Sequence, residues 1–540
     1  MRPEVLLATP GVLDRDTRAI VLMAFLAFIV AMLFICVLIG PETDRVHDFY
    51  TAGRRMPPLR GALVLSGVYL SAATVLGTPG SVAVFGYDGL FIALCTVLSL
   101  GVLLLLAAPL RESGRFTLGD TFALRAPGPA VRIAVAVVTL SASVPYLVVQ
   151  LSGAGVTTTV LLGISGPGAE QAAMVMVGVL VVGATVFGGM RGTVVLQVIK
   201  TILLLGMALA VTAVLFHRFG WSTDSLVDAA RDGSGRPATY MRPGLRFADA
   251  STSAPTLDFI GLMITIVLGV ACMPHVALQL NTAPDAPAAR RTVRHTIAIV
   301  GGFCLATTVM GLAGSALIGV PVINAADPGG NSTLLMLTGE LAGGSSTHTI
   351  GALLVVLVAS AIFLTTLAVV ASVTLAAAGA IAHDLYTHVL GRGRTTEGRE
   401  VAAARWASAA VGALSIALAV WAQGWNVLIL SVLALAVAAS CVLPALVYSF
   451  FWKRYNRTGL LWTLYGGLGS AVGLQICGPT FSGSPLALFP DWHLNWFPLQ
   501  TVVLVSMPTA FLLGCLGSVM GKTARTAERG AGRRTMVARE

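Results

Sequence analysis

The chain has 540 residues, of which 56% are hydrophobic and 11% charged, with 34 Lys and Arg against 24 Asp and Glu and a net charge of +10. A soluble domain carries about a quarter charged residues, so a soluble enzyme or a soluble nucleic-acid-binding protein is excluded. The basic excess lies in short stretches between apolar blocks, where it marks membrane topology rather than a binding face for nucleic acid.

The apolar blocks come in lengths near the roughly 20 residues that a helix needs to cross the hydrocarbon. They predict an all-α membrane protein with about thirteen spans, near 18–40, 59–85, 87–109, 132–163, 170–190, 193–216, 257–280, 296–320, 350–382, 405–423, 426–451, 459–478 and 499–520. The first block, Ala19 to Gly40, is too long for a signal-peptide core and has no basic run directly before it, so it reads as a span. With the amino terminus outside, 25 of the 34 Lys and Arg fall in loops on the cytoplasmic side and eight outside. That asymmetry predicts a multi-pass protein of the cell membrane, N-terminus out and C-terminus in.

This order divides the chain into an extra N-terminal span (1–41), a first five-helix unit (57–216), an extracytoplasmic loop (217–256), a second five-helix unit (257–452), two C-terminal spans (453–520) and a basic cytoplasmic tail (521–540). The loop and the tail are the longest polar stretches, and each is too short to bury a core. No soluble output module is expected, which weakens a membrane-bound sensor, and function must sit among the helices. The seven cysteines fall in or beside apolar blocks without CxxC spacing, which indicates neither a disulfide framework nor a metal site. Gly, at 59, suits closely packed membrane helices.

Two spans are broken. The second reads Gly67-Val68-Tyr69-Leu70-Ser71-Ala72-Ala73-Thr74 and then Gly77-Thr78-Pro79-Gly80; the seventh reads Gly269-Val270-Ala271-Cys272-Met273-Pro274-His275. Proline removes a backbone donor and clashes with the preceding turn. Unwound backbone at membrane depth is tolerable only when buried in protein or lining a cavity, where cations and anionic solutes are held. The breaks lie five spans apart, an odd offset that inverts one relative to the other, as expected of inverted repeats with a site at their interface.

Ionisable residues inside the blocks are few. Lys200 is read as snorkelling to the cytoplasmic surface. His275 is either proton-linked or a neutral packed ring. Asp88, Asp258 and Asp384 sit at span ends, so no acidic proton relay is evident. Span nine offers Thr365, Thr366, Ser372 and Thr374, oxygens of the kind a hard cation takes, although such hydroxyls also bond back to their own helix. An enzyme fares worse: among eight histidines only His275 stands clearly inside a span, and no HExxH, GxSxG or phosphate loop is usably placed.

These residues resemble the sodium:solute symporter family, and most closely its acetate-permease branch. The similarity runs through Asp48-Phe49-Tyr50-Thr51-Ala52-Gly53-Arg54, Tyr69-Leu70-Ser71-Ala72-Ala73, Gly86-Tyr87-Asp88-Gly89-Leu90, Gly114-Arg115-Phe116-Thr117-Leu118-Gly119-Asp120, Phe187-Gly188-Gly189-Met190, Gln197-Val198-Ile199-Lys200, Met273-Pro274-His275, His383-Asp384-Leu385-Tyr386 and Ala438-Ala439-Ser440-Cys441. The resemblance implies a leucine-transporter-like fold of inverted five-helix repeats and alternating access. It also implies uptake of a short monocarboxylate with Na+ or H+ and no other cofactor. Another small organic solute, such as an amino acid, is the alternative. The expected partners are a small organic anion and membrane lipid, with no nucleic acid; oligomeric state is not readable.

The solute carboxylate is expected at the unwound segments, near Ser71, Ala72, Ala73 and Thr74 on one side and Gly269, Ala271, Met273 and Pro274 on the other. A cation site of the family type would use the carbonyls of Gly67, Leu70 and Thr365, with Thr366 or Ser372 as substitutes. Two departures stand out: the paired hydroxyls of that site are replaced by Ala368 and Val369, and Val68 stands where the acetate branch tends to carry an acid.

Overall fold

The computed structural model describes residues 45–162, 168–247, 254–327, 329–343, 348–423, 427–483, 487–489 and 491–521, together with seven single positions between 23 and 38. The rest of the first expected span, residues 248–253 of the outer loop and residues 522–540 of the tail lie outside the described residues.

Every long described element is a helix, as it must be where the bilayer offers no partner for backbone N–H and C=O groups. A short α1 (Val46–Thr51) precedes the bent second span, made of α2 (Pro58–Tyr69) and α3 (Ala73–Phe85) at 67° to each other. Then come α4 (Tyr87–Ser113), the short α5 (Leu118–Arg125), α6 (Pro129–Leu162), and α7 (Ala169–Val186) and α8 (Gly188–Arg218), which meet at Gly189 with φ 50°. A surface helix α9 (Thr223–Gly233) lies in the loop at 217–256.

The second half holds α10 (Pro255–Ala271), α11 (Pro274–Leu280), α12 (Ala286–Leu317), α13 (Leu354–Leu390), α14 (Glu397–Trp421) and α15 (Ile429–Phe451). Finally α16 (Arg457–Ile476) packs along α17 (Val503–Met520). Among the described residues ten helices are long and apolar enough to span a membrane, or up to eleven with the bent α2/α3 pair. The block expected at 459–478 forms α16, which is helical but not among those apolar spans.

The two breaks differ in degree. At the first, Leu70 leaves the helical region and Ser71 to Gly77 resume with a π-helical turn; at the second, only Cys272 and Met273 interrupt α10 and α11, and Pro255–Leu280 remains one span. Proline explains the second, because Pro274 occupies the first turn of α11 and cannot donate back into α10.

The centre is built on α13, the most enclosed long span together with α15. Its run of Ala, Val, Ser and Thr lets α6 and α8 approach closely. The α2/α3 span lies against α8 and α12, while α10 and α11 run beside α15, α4 and α2. At the 217–256 loop, buried Asp88 at the start of α4 accepts from the backbone amides of Gly244 and Arg246 at 3.1 and 2.9 Å, and Arg246 lies 4.9 Å over the Phe85 ring. Asp258 is likewise buried, with its carboxylate accepting from the Thr501 amide at 2.8 Å.

Candidate transport site

The last turn of α2 leaves carbonyls without helical partners, as any interrupted helix does. Ser66 O accepts from the Leu70 amide at 2.8 Å, and Tyr69 O accepts from the Ser71 amide at 2.9 Å and from Thr74 Oγ1 at 3.1 Å. Gly67 O instead accepts from Lys200 Nζ at 2.5 Å, and Lys200 is fully buried. The expectation that Lys200 snorkels to the surface is therefore corrected. Its side chain runs from α8 to Gly67 O, at a point where α2 and α8 approach closely. A Cβ there would lie 2.4 Å from Gln197 Oε1 and 2.9 Å from Thr201 Oγ1.

The oxygens expected to hold a cation are arranged around the same place. Gln197 Nε2 on α8 donates to Ala368 O at 2.9 Å and to Ser372 Oγ at 2.8 Å. Thr365 and Thr366 donate back to the carbonyls of Ala361 and Ile362, at 2.6 and 3.5 Å. Leu70 is fully buried at the break. Side chains of α8 thus occupy the polar edge between α2 and α13.

On the other side of the break, the Ala72 amide donates to Gln150 Oε1 of α6 at 3.3 Å, and Ser71 lies beside Tyr146. The Tyr146 ring stacks on His275 of α11, centroids 5.7 Å apart at 24°. Ser71, Ala72, Thr74, Ala271, Met273, Pro274 and His275 are all buried. Among the described residues Gln150 Nε2 and His275 Nδ1 have no hydrogen-bond partner. A buried unpaired amide costs desolvation energy, about 1–3 kcal/mol, that a ligand would recover. Sequence reasoning missed Gln150; its signal was a lone amide in the middle of an apolar span.

Two expected residues lie elsewhere. Ala73, in the π turn, is exposed where its neighbours Ala72 and Thr74 are buried. Gly269 faces α15, where a Cβ would lie 2.5 Å from Leu435 O, so it serves helix packing there. A crevice beside this region is lined by Pro274, Ala277, Thr139, Ala376 and Asp384, among others.

A second polar group closes the far end of that crevice's lining. Arg132 on α6 reaches Asp384 Oδ1 at 2.6 Å and Asp120 Oδ1 at 3.0 Å. His383 joins Asp120 through Nε2 at 3.0 Å and Glu400 through Nδ1 at 2.6 Å, and Thr117 Oγ1 donates to Asp384 Oδ1 at 3.0 Å. Asp384, placed by sequence at a span end, lies in the closing turns of α13, where it is buried and paired across the fold. Gly119 permits this, since a Cβ would come within 2.1 Å of Asp384 Oδ1.

Asp120 lies on α5, outside the spans. Burial pushes its carboxyl up, but the hydrogen bond and charge of His383, the Phe116 amide and Arg132 outweigh burial and hold it well below the usual carboxylate range. Ligand atoms of Asp120, His383 and His388 lie within 4.8 Å of one another. Both nitrogens of His383 already face carboxylates, and Arg132 sits on the Asp120 oxygen, so the group is an ion-pair network rather than a metal site.

The model of the sodium:solute symporter family matches residues 49–467. The chain belongs to the sodium:solute symporter family. It is 35% identical over 536 residues to a monocarboxylic acid transporter of Corynebacterium glutamicum, covering 97% of this chain and 95% of that protein. It is also 35% identical over 508 residues to an uncharacterized symporter, YwcA, of Bacillus subtilis, covering 92% and 94%. Among solved structures it is similar to a substrate-bound, outward-open Na+-coupled sialic acid symporter, with a TM-score of 0.72, 14% identity, and 93% and 98% of the two chains covered. The fold is thus the leucine-transporter-like one of this sodium:solute symporter, and the protein is a multi-pass membrane symporter of a small solute rather than an enzyme.

Proposed function

We propose that this symporter takes up a short monocarboxylate of the acetate, propionate or pyruvate type, together with Na+ or H+, by alternating access. The observation that carries the reading is the unpaired, buried amide nitrogen of Gln150 beside the unwound segment at Ser71 and Ala72. A carboxylate presents only acceptors, and it would take the Gln150 amide and the Ser71 hydroxyl as donors, while the buried Tyr146 and His275 rings wall the solute. Met273 and Pro274 would close the site from α11, next to the crevice. The 35% identical relative named as a monocarboxylic acid transporter supports the same solute class.

In this reading, the inverted units at 57–216 and 257–452 rock about the breaks, and the N-terminus lies outside with the Arg-rich loops in the cytoplasm. Purified protein in vesicles, given labelled pyruvate and an imposed inward ion gradient, should accumulate it, with unlabelled acetate and propionate competing and amino acids not. Gln150→Leu should raise KM by about tenfold or more, since a hydrogen bond to a charged group contributes roughly 1.5–3 kcal/mol. Uptake indifferent to every gradient, or blocked by amino acids instead, would overturn the proposal.

A further inference from the structure

The cation position that the fold offers is held by a side chain. Gly67 O, expected to face a sodium ion, is 2.5 Å from the fully buried Lys200 Nζ. Gln197, one turn before Lys200 on α8, takes Ser372 Oγ and Ala368 O. Thr365 and Thr366 are turned back onto α13, and Ala368 and Val369 bring no oxygen of their own side chains. A sodium ion draws its hold from several oxygens at once. Here Gly67 O is taken by Lys200 Nζ, Ser372 Oγ and Ala368 O by the Gln197 amide, and the Thr365 and Thr366 hydroxyl protons by helix carbonyls.

We propose that the Lys200 ammonium is the coupling cation's stand-in, so that this protein is driven by protons through Lys200 and binds no sodium at the α2/α13 edge. This rests on the proposed monocarboxylate uptake for its solute but not for its cation. The charge and its location match the need: one positive charge at the carboxyl end of α2, where the helix dipole and a free carbonyl favour it.

The step balances simply. A neutral Lys200 amine takes one proton from water on the outer side and becomes the ammonium that ties α8 to Gly67. When the site opens inward, the ammonium gives that proton to water, its hydrogen bond to Gly67 O weakens, and the amine returns. One proton then moves with one monocarboxylate anion, without net charge.

The surroundings suit a group that must change charge. His275 lies on α11, the half-helix that follows the second break. Tyr69 on α2 and Tyr146 on α6 are phenols, and the facing stretch of α13 from Ala361 to Ser372 has no ionisable side chain. On α1, α12 and α14, Asp48, Arg290, Arg291, Arg294, His295, Glu400 and Arg405 lie in or near the opening turns, and Cys304 lies farther along α12. No carboxylate pairs with Lys200 among the described residues, so nothing pins its proton in place.

Two measurements test this. The first is binding of radioactive sodium to the purified full chain, with choline as the control salt; no specific binding is expected, and stoichiometric sodium binding would overturn the proposal whatever the solute. The second is labelled pyruvate uptake into sodium-free vesicles, with and without a pH gradient of one unit, acid outside. Wild type should accumulate pyruvate up to about tenfold, the limit for one proton per solute. In Lys200→Met the ratio of uptake with the gradient to uptake without it should fall to one. If Lys200 were only structural, Lys200→Met would lower both rates and keep the ratio, and that result would overturn the proposal. Absence of pyruvate uptake under any gradient would refute the solute reading alone, and sodium binding would still decide the cation.

Discussion

Replacing Arg132 by methionine tests the ion-pair network most directly. The guanidinium joins Asp384 at 2.6 Å and Asp120 at 3.0 Å, with Asp384 almost fully buried. Methionine keeps much of the volume and removes the charge, so Asp384 retains the Thr117 hydroxyl as its remaining hydrogen-bond donor. Removing one partner of a buried pair costs about 3–5 kcal/mol, because the other charge is left in a poorly solvating place. At about 2.1 cal/mol/K per residue the unfolding entropy of a chain this long is about 1.1 kcal/mol/K, giving a Tm lower by about 3–5 °C. Helices that persist in detergent reduce that entropy, so the drop is a lower bound.

The assay is thermal unfolding of the purified protein in detergent, followed by loss of monodispersity. The second arm is Arg132→Met with Asp384→Leu. If the cost is a stranded charge, taking the carboxylate away should recover a large part of the Tm. A single variant that melts with wild type, or a double variant less stable than Arg132→Met alone, would refute the reasoning.

Two further outcomes follow from the geometry. The carboxyl of Asp120 is depressed in the fold, so its stabilisation is fully present above its unfolded value near 3.9 and is lost as pH falls through the folded value; the Tm gap between wild type and Asp120→Asn should be widest near neutrality and narrow below about pH 4, and a gap constant from pH 3 to 8 would contradict the sign. Asp88→Ala removes the acceptor of the Gly244 and Arg246 amides, worth about 1.5–3 kcal/mol per charge-assisted bond, and should speed trypsin cleavage after Arg246 in intact protein, measured by mass spectrometry; unchanged cleavage would show that the loop is held by other contacts.

Much of the molecule was legible in the order of residues. Membrane spanning follows from local hydropathy, because a helix satisfies its own backbone and needs only an apolar run of the right length. The break at Pro274 was legible for the same reason, since proline acts on its own turn, whereas the break at Ser71 has no proline in it and was marked only by its run of small residues. The fold class follows from their spacing and from the family motifs. The number of spans was less secure: α16 forms as a helix packed along α17, and hydropathy alone does not separate a crossing helix from one sheltered by a neighbour.

What only the tertiary structure decided is which distant residues meet. Lys200 and Gly67 are 133 residues apart, Gln197 and Ser372 175, Arg132 and Asp384 252. Read along the chain, Lys200 was a cation near a surface and Asp384 an acid at a helix end. Their roles turn on partners brought by α2 and α6, and a one-dimensional pattern carries no information about such pairings because the energy of a buried charge is set by the groups packed around it. Gly67 and Gly119 record those pairings only as missing side chains, and the reason for each is visible only when Gln197 and Asp384 are seen filling the space.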